Sequence, residues 1–185
     1  MSVPIKFIKL SSEAISPVLT SIFNLSFFTG CFPDSLKYSK IKPIHKSSSK
    51  AHCTNYRPVA LLSPFAKLLE KCIYTRINNF FISNNLFFSN QFGFQKQSST
   101  ENAVLQIHQQ LLESLEQRKI SCSIFVDLRK AFDTVDHAIL LCKLEKYGVR
   151  ALPLKLLECY LTNRLQQTIM NGTKYGPENI ICGLR

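Results

Sequence analysis

Residues 120–126 run Ile-Ser-Cys-Ser-Ile-Phe-Val and stop at Asp127, and this stretch constrains the fold more than any other. Apolar and polar side chains alternate and the apolar ones are β-branched or aromatic, which predicts a strand buried on at least one face. A strand needs neighbours for its backbone N–H and C=O groups, so the chain has to build a sheet. Helical patterns occupy most of the remainder, and the two together predict an α+β fold.

Five helices are expected. From Ile15 the residues Val18, Leu19, Ile22 and Phe23 repeat at helical spacing, with Ser16 and Pro17 as cap and first turn and Gly30 as the stop. The second helix starts at Ser63 and Pro64, carries Phe65, Leu68, Leu69, Cys72, Ile73, Ile77 and Phe80 on one stripe, and ends near Asn84 and Asn85. Ser98 and Glu101 form a capping box for a third, with Val104, Ile107, Leu111 and Leu115 as its stripe to about Gln117. Both stripes are expected to build core. Asp133 is placed to cap the next, with Asp136 in its first turn and Gly148 beyond its end; a further helix covers 152–162. Strands are expected at 165–171 and 178–182, turning at Asn171 and Gly172.

The stretch 35–62, interrupted by Pro43 and Pro58 with KSSSK between, reads as a hairpin of two short extended segments. It is also the most basic part of the chain. No acidic residue lies between Ser35 and Leu69, where Lys37, Lys40, Lys42, Lys46, Lys50, Arg57 and Lys67 fall with Tyr38, His45 and Tyr56 among them. With a net charge of +11, a concentrated segment of this kind draws polyanions, nucleic acid first.

Composition removes several classes. Hydrophobic residues are 45% of 185, with 14 Phe and 6 Tyr, which excludes intrinsic disorder and suits one ordinary domain or a compact part of a larger protein. The seven cysteines are spread along apolar patterns without a CxxC pair or a close Cys/His set, so buried thiols are expected in a reducing, intracellular setting and no zinc site. No signal-peptide core is present and no run reaches the ~18 apolar residues of a membrane span, so no membrane association is expected.

Capping explains Asp133 and Asp136 but not Asp127. A carboxylate at the end of a desolvated strand either faces water or binds a cation. Magnesium is a suitable ion, since it prefers hard oxygens and is commonly held by one or two carboxylates plus substrate phosphates.

These residues carry a resemblance. FVD followed by LRKAFDTVDH looks like the first metal-binding motif of reverse transcriptases of non-LTR retrotransposons of the jockey or CR1 type. FPDSLKYSKIKPIHK (32–46), NYRPVALLS (55–63), FAKLLEK in the second helix and NQFGFQKQSST (90–100) resemble, in order, that family's fingers motifs, and the likeness runs from about residue 17 to the C-terminus. It implies part of a right-hand polymerase: helices packed on a small antiparallel sheet, a fingers-like region over 1–119 with the first helix and basic hairpin, and an incomplete palm over 120–185.

The resemblance implies that Asp127 and the carbonyl of Leu128 ligate catalytic magnesium, and that Phe132 underlies the incoming sugar and selects deoxynucleotides. It implies that Lys46 and Arg57 grip the triphosphate, that Lys42 and Lys50 lie along nucleic-acid phosphates, and that Gln91, Phe92 and Gly93 sit near the template strand. Gln95 stands where the family usually has Arg, which weakens the template assignment of that loop. The implied partners are an RNA template, a DNA primer and deoxynucleoside triphosphates, with no stable protein partner, in the nucleus. The family's paired aspartates do not appear before Arg185, so the 185 residues alone are expected not to polymerise. The alternative is a fragment that binds RNA or an RNA:DNA duplex without chemistry.

Overall fold

The computed structural model describes residues 4–46, 49–96, 98–128, 130–170 and 172–183. In chain order the elements are α1 (Ile5–Leu10), α2 (Ser12–Thr29), β1 (Tyr38–His45), β2 (Tyr56–Leu61), α3 (Pro64–Ser83), α4 (Thr100–Glu116), α5 (His137–Lys146), α6 (Ala151–Leu161), β3 (Leu165–Met170) and β4 (Thr173–Asn179). The α+β class is as expected. The chain divides into two compact units, one of residues 1–75 with 130–185 and one of residues 76–129, the first boundary falling inside α3. Among the described residues no helix is long and apolar enough to cross a membrane.

The first unit holds a four-stranded sheet of order β2-β1-β3-β4. It is mixed rather than wholly antiparallel: β1/β2 and β3/β4 are antiparallel hairpins, and β1 joins β3 in parallel with Tyr38 opposite Leu165 and Ile41 opposite Thr168. Pro43 lies opposite Pro58. Neither can donate a hydrogen bond, so the pair has to occupy a position where both nitrogens point away from the ladder. On that alternation the backbone groups of Ile41 turn toward β3 and those of Lys42 and Ile44 toward β2. The ladder continues one step past β1, where the Lys46 amide donates to the Asn55 carbonyl at 2.8 Å.

One face of this sheet is covered. Ser39 and Ile41 of β1 are buried on it, and the core around them is Phe32, Ala66, Leu69, Ile73, Val149, Leu156, Leu157 and Leu161. Phe32 meets Tyr160 of α6 edge to face at 5.0 Å between ring centres. Lys37 is turned inward as well, its ammonium 2.8 Å from Asp34 and 3.5 Å from the Cys159 sulfur. One of the seven cations of the basic segment is therefore spent on structure.

Caps explain the helix ends. Ser63 Oγ accepts from the Ala66 amide at 3.1 Å with Pro64 as first helical residue, as expected. Gly30 ends α2 at φ +67°, where a side chain would press on Lys155 and the Leu152 carbonyl of α6. Three boundaries differ from the sequence reading. α2 begins at Ser12, with Pro17 inside it rather than at its start. The α4 cap is Ser99, not Ser98, accepting from Asn102 at 3.2 Å. The α5 cap is Asp136, not Asp133, its Oδ1 accepting from the Ile139 amide at 2.9 Å.

The final strand occupies Thr173–Asn179 rather than 178–182, because a bulge between Gln166 and Thr168 absorbs Gly176 and Pro177 and lets pairing resume directly after the turn. Gly172 at that turn has φ +81°, while Asn171 lies outside the described residues.

The second unit departs most from expectation. Residues 120–128 form no strand, and Ile120, Ile124, Phe125 and Val126 are each more than three-quarters exposed. No strand lies among the described residues of that unit, so the segment has no ladder to join within it. The α4 stripe of Val104, Ile107, Leu111 and Leu115 is exposed, so only α3 supplies buried residues as expected. The cysteines are also not buried: six are exposed and Cys159 is half-buried. Falling on an apolar stripe places a thiol near a core face but does not decide which neighbours cover it.

Candidate nucleotide and nucleic-acid interface

The β1/β2 hairpin gathers four of the expected site residues, Lys42, Lys46, Lys50 and Arg57. Alternation along β1 puts Tyr38, Lys40, Lys42 and Ile44 on the face opposite the core, and register adds Leu61, Val59 and Arg57 of β2 to the same face. Lys42 lies opposite Val59 and Ile44 opposite Arg57. Lys42 and Arg57 are therefore diagonal neighbours with backbones about 7–8 Å apart. Lys40, Lys42, Lys46 and Arg57 make no ion pair among the described residues. Lys42, Lys46 and Arg57 are exposed and Lys40 is half-buried.

The loop closing this hairpin is held by its own backbone. Asn55 Nδ2 donates to the Ser49 carbonyl at 2.7 Å, and the Tyr56 hydroxyl donates to the Lys50 carbonyl at 3.0 Å. His45 and Tyr56, opposite each other on the core-side register, pack edge to face at 5.3 Å. Lys50 is thereby fixed at the tip with its side chain exposed.

Phe132 belongs to the first unit and is exposed in the turn before α5. That turn is closed against the C-terminal stretch: the Gly183 amide donates to the Val135 carbonyl at 2.9 Å, and His137 Nε2 lies 2.7 Å from the Gly183 carbonyl oxygen. A Cβ at Gly183 would come within 2.9 Å of the Asp133 carbonyl oxygen. Sequence reading overlooked this closure, which hangs on a glycine at φ +85°.

The remaining site residues lie in the second unit. Gln91, Phe92 and Gly93 form a loop in which Gln91 Nε2 donates to the Gly93 carbonyl at 3.3 Å, with Gln91 exposed and Phe92 half-buried. Gln106 of α4 braces it through Asn90 at 3.1 Å. Asp127 and Leu128 end the irregular 120–128 run, both exposed. Among the described residues no three His, Cys, Asp or Glu side chains gather into a set able to hold a metal. Asp127 and the Leu128 carbonyl offer two hard oxygens, which fits them as a contribution to a magnesium site and not as a complete one.

Sequence comparison adds what the geometry does not. A family model described as "Reverse transcriptase (RNA-dependent DNA polymerase)" matches residues 44–185. The chain belongs to the reverse transcriptase family. It is 28% identical, over 96% of its length, to the RNA-directed DNA polymerase from mobile element jockey of Drosophila melanogaster, covering 19% of that protein. Over 74% of its length it is 32% identical to the jockey enzyme of Drosophila funebris, covering 15% of that protein. It is also similar to the retrovirus-related Pol polyprotein from type-2 retrotransposable element R2DM of Drosophila melanogaster, at 26% identity over 94% of the chain and 16% of the polyprotein. These relatives place the sequence among reverse transcriptases of non-LTR retrotransposons. The chain spans less than a fifth of the length of each of them.

Proposed function

We propose that this chain supplies the nucleotide grip and part of the template path of an RNA-directed DNA polymerase, an enzyme that copies an RNA template onto a DNA primer with deoxynucleoside triphosphates. One observation supports the reading above the others: Lys46 and Arg57, inside a family match over residues 44–185, stand exposed with Lys42 on one hairpin without an acidic partner among the described residues. The Arg57 guanidinium has the planar fork that takes two phosphate oxygens at once, and Lys46 adds a compact charge. Together they suit a tetraanionic ligand. Phe132 presents an exposed ring where a 2′-hydroxyl would meet it, favouring deoxyribose. Gln91 and Phe92 offer an amide and a ring to a template base.

Asp127 and Leu128 would contribute oxygens to a bound divalent ion, whose chemistry is to activate the primer hydroxyl and neutralise the leaving pyrophosphate. Priming on chromosomal DNA would place this work in the nucleus.

Photo-crosslinking with an azido-deoxyuridine triphosphate tests the reading. Label is expected within residues 42–57, displaced by dTTP, weaker with UTP as competitor, and lost in Arg57→Ala. Label that dTTP does not displace, or that persists undiminished in Arg57→Ala, would remove the nucleotide-grip assignment.

A further inference from the structure

The corner that follows α2 is pressed against α6, and a cysteine stands on each side of the contact. Gly30 turns the chain out of α2, and a Cβ there would come within 3.2 Å of the Leu152 carbonyl oxygen of α6. Cys31 comes next, exposed, with its thiol donating to the Thr29 carbonyl at 3.8 Å. The Lys155 ammonium of α6 donates to the same carbonyl at 3.2 Å, which puts the Cys31 sulfur on the side of the corner that faces α6. One turn along α6 from Lys155 is Cys159, the half-buried thiol.

The Cys159 sulfur is held against the residue next to Cys31. The Phe32 amide donates to it at 3.2 Å, and it lies 3.7 Å from the Phe32 carbonyl oxygen. The Cys31–Phe32 peptide is trans, so the Phe32 N–H and the Cys31 Cα fall on one side of the C–N bond. A sulfur taken up by that N–H therefore sits about 4 Å from the Cys31 Cα. Two bonds further back, the Cys159 Cα is at most about 7 Å from the Cys31 Cα, against about 4.4–6.8 Å across disulfides. The same sulfur has the Lys37 ammonium at 3.5 Å, buried and fixed by Asp34 at 2.8 Å. Negative charge on it thus meets a cation and an N–H, and a thiolate is the form that attacks a disulfide.

We propose that Cys31 and Cys159 are a redox pair that closes to a disulfide on exposure to a low-molecular-weight disulfide. Cys31, the exposed thiol, reacts first: its thiolate attacks one sulfur of the small disulfide, forms a mixed disulfide and releases one small thiolate. The Cys159 thiolate then attacks the Cys31 sulfur, making the Cys31–Cys159 bond and expelling the second small thiolate. The two protons given up by the protein end on the two released thiols, and the small disulfide takes the two electrons. The bridge pins the end of α2 to α6 beside Lys37, at the foot of β1.

The test treats the whole reduced chain with oxidised glutathione, caps the remaining thiols with N-ethylmaleimide and maps tryptic peptides by mass spectrometry without reduction. Cleavage leaves Cys31 in residues 10–37 and Cys159 in residues 156–164. These two peptides are expected to be linked as the main internal disulfide, and the link is expected to be lost with dithiothreitol and in Cys31→Ser. The bridged chain should unfold at a higher urea midpoint than the reduced chain, with no such shift in Cys31→Ser. Circular dichroism confirms that each variant is folded, and Cys31→Ser, an exposed change, carries the comparison if Cys159→Ser is not. Other cysteine pairs linked as abundantly, glutathione left on Cys31 with no link to Cys159, an equal yield of the link from the chain unfolded in urea, or a urea midpoint unmoved by the bridge would each overturn the pair.

Discussion

Glu70 of α3 carries a charge whose removal should be costly out of proportion to its exposure. Its Oε1 accepts the Tyr160 hydroxyl at 2.9 Å and lies 3.9 Å from Arg164 Nη2. The Arg164 side chain is 4% exposed, its guanidinium sits 4.5 Å from the Tyr160 ring centre, Nη1 donates to the Tyr160 carbonyl at 3.4 Å, and Nε finds no partner among the described residues. Glu70→Ala therefore strands a buried cation and a buried hydroxyl together. Breaking a fully buried pair costs about 3–5 kcal/mol. Glu70 is a quarter exposed and the ion pair is long, so the low end applies, about 3 kcal/mol, most of it from the hydroxyl and the desolvated guanidinium. Arg164→Met removes the charge while keeping much of the volume, leaves the Tyr160 bond intact, and should cost about 1 kcal/mol or less. Adding it to Glu70→Ala should recover stability, giving a coupling of about 2 kcal/mol. Urea unfolding followed by circular dichroism measures all four proteins. Glu70→Ala within about 0.5 kcal/mol of the parent, or Arg164→Met as damaging as Glu70→Ala, would show that the buried charge is not what this contact controls.

The same cluster should be visible in the pH dependence of stability. Burial first, then Glu70, raises the Tyr160 hydroxyl from 10.0 to about 12 against the opposing pull of Arg164. The folded state holds this proton more tightly, so the contribution is complete below pH 10 and lost as pH rises toward 12, about 3 kcal/mol in all. The stability difference between the parent and Tyr160→Phe should stay flat up to pH 10 and shrink above it; a difference that stays flat to pH 11.5 would contradict the burial. Asp136→Ala should cost about 1 kcal/mol through the lost α5 cap, read as a lower urea midpoint with unchanged slope. A thiol reagent should modify six cysteines quickly and Cys159 slowly in the folded chain; several slow thiols would mean the apolar stripes are covered after all.

The elements legible in the sequence were those whose signal is local and stereochemically exclusive. Ser63 followed by Pro64 states both where α3 begins and why, and Gly30 stops α2 because its left-handed φ is one that a side chain resists. The neighbouring caps slipped by one or three residues for an equally local reason. Ser98 and Ser99, or Asp133 and Asp136, offer the same oxygen chemistry, and only the backbone decides which reaches the open amide. The cations of the hairpin could be named from sequence, but the parallel pairing of β1 with β3 could not, since it joins strands more than 120 residues apart.

Residues 120–128 show the limit from the other side. Their alternation is as good a strand signal as that of β1, yet β1 is a strand and they are not. Alternation describes how a segment would divide its side chains between two faces; it does not supply the donors and acceptors of a second strand. β1 has β2 beside it through a short loop and β3 through register, so its backbone groups are taken up on both sides. The 120–128 segment meets no strand within its own unit, and its apolar side chains stay in water. Asp127 inherits that setting. The proposal that it ligates a metal rests on the resemblance of the motif around it, while the geometry of an exposed, irregular segment leaves the carboxylate unsupported until an extended strand pairs alongside it.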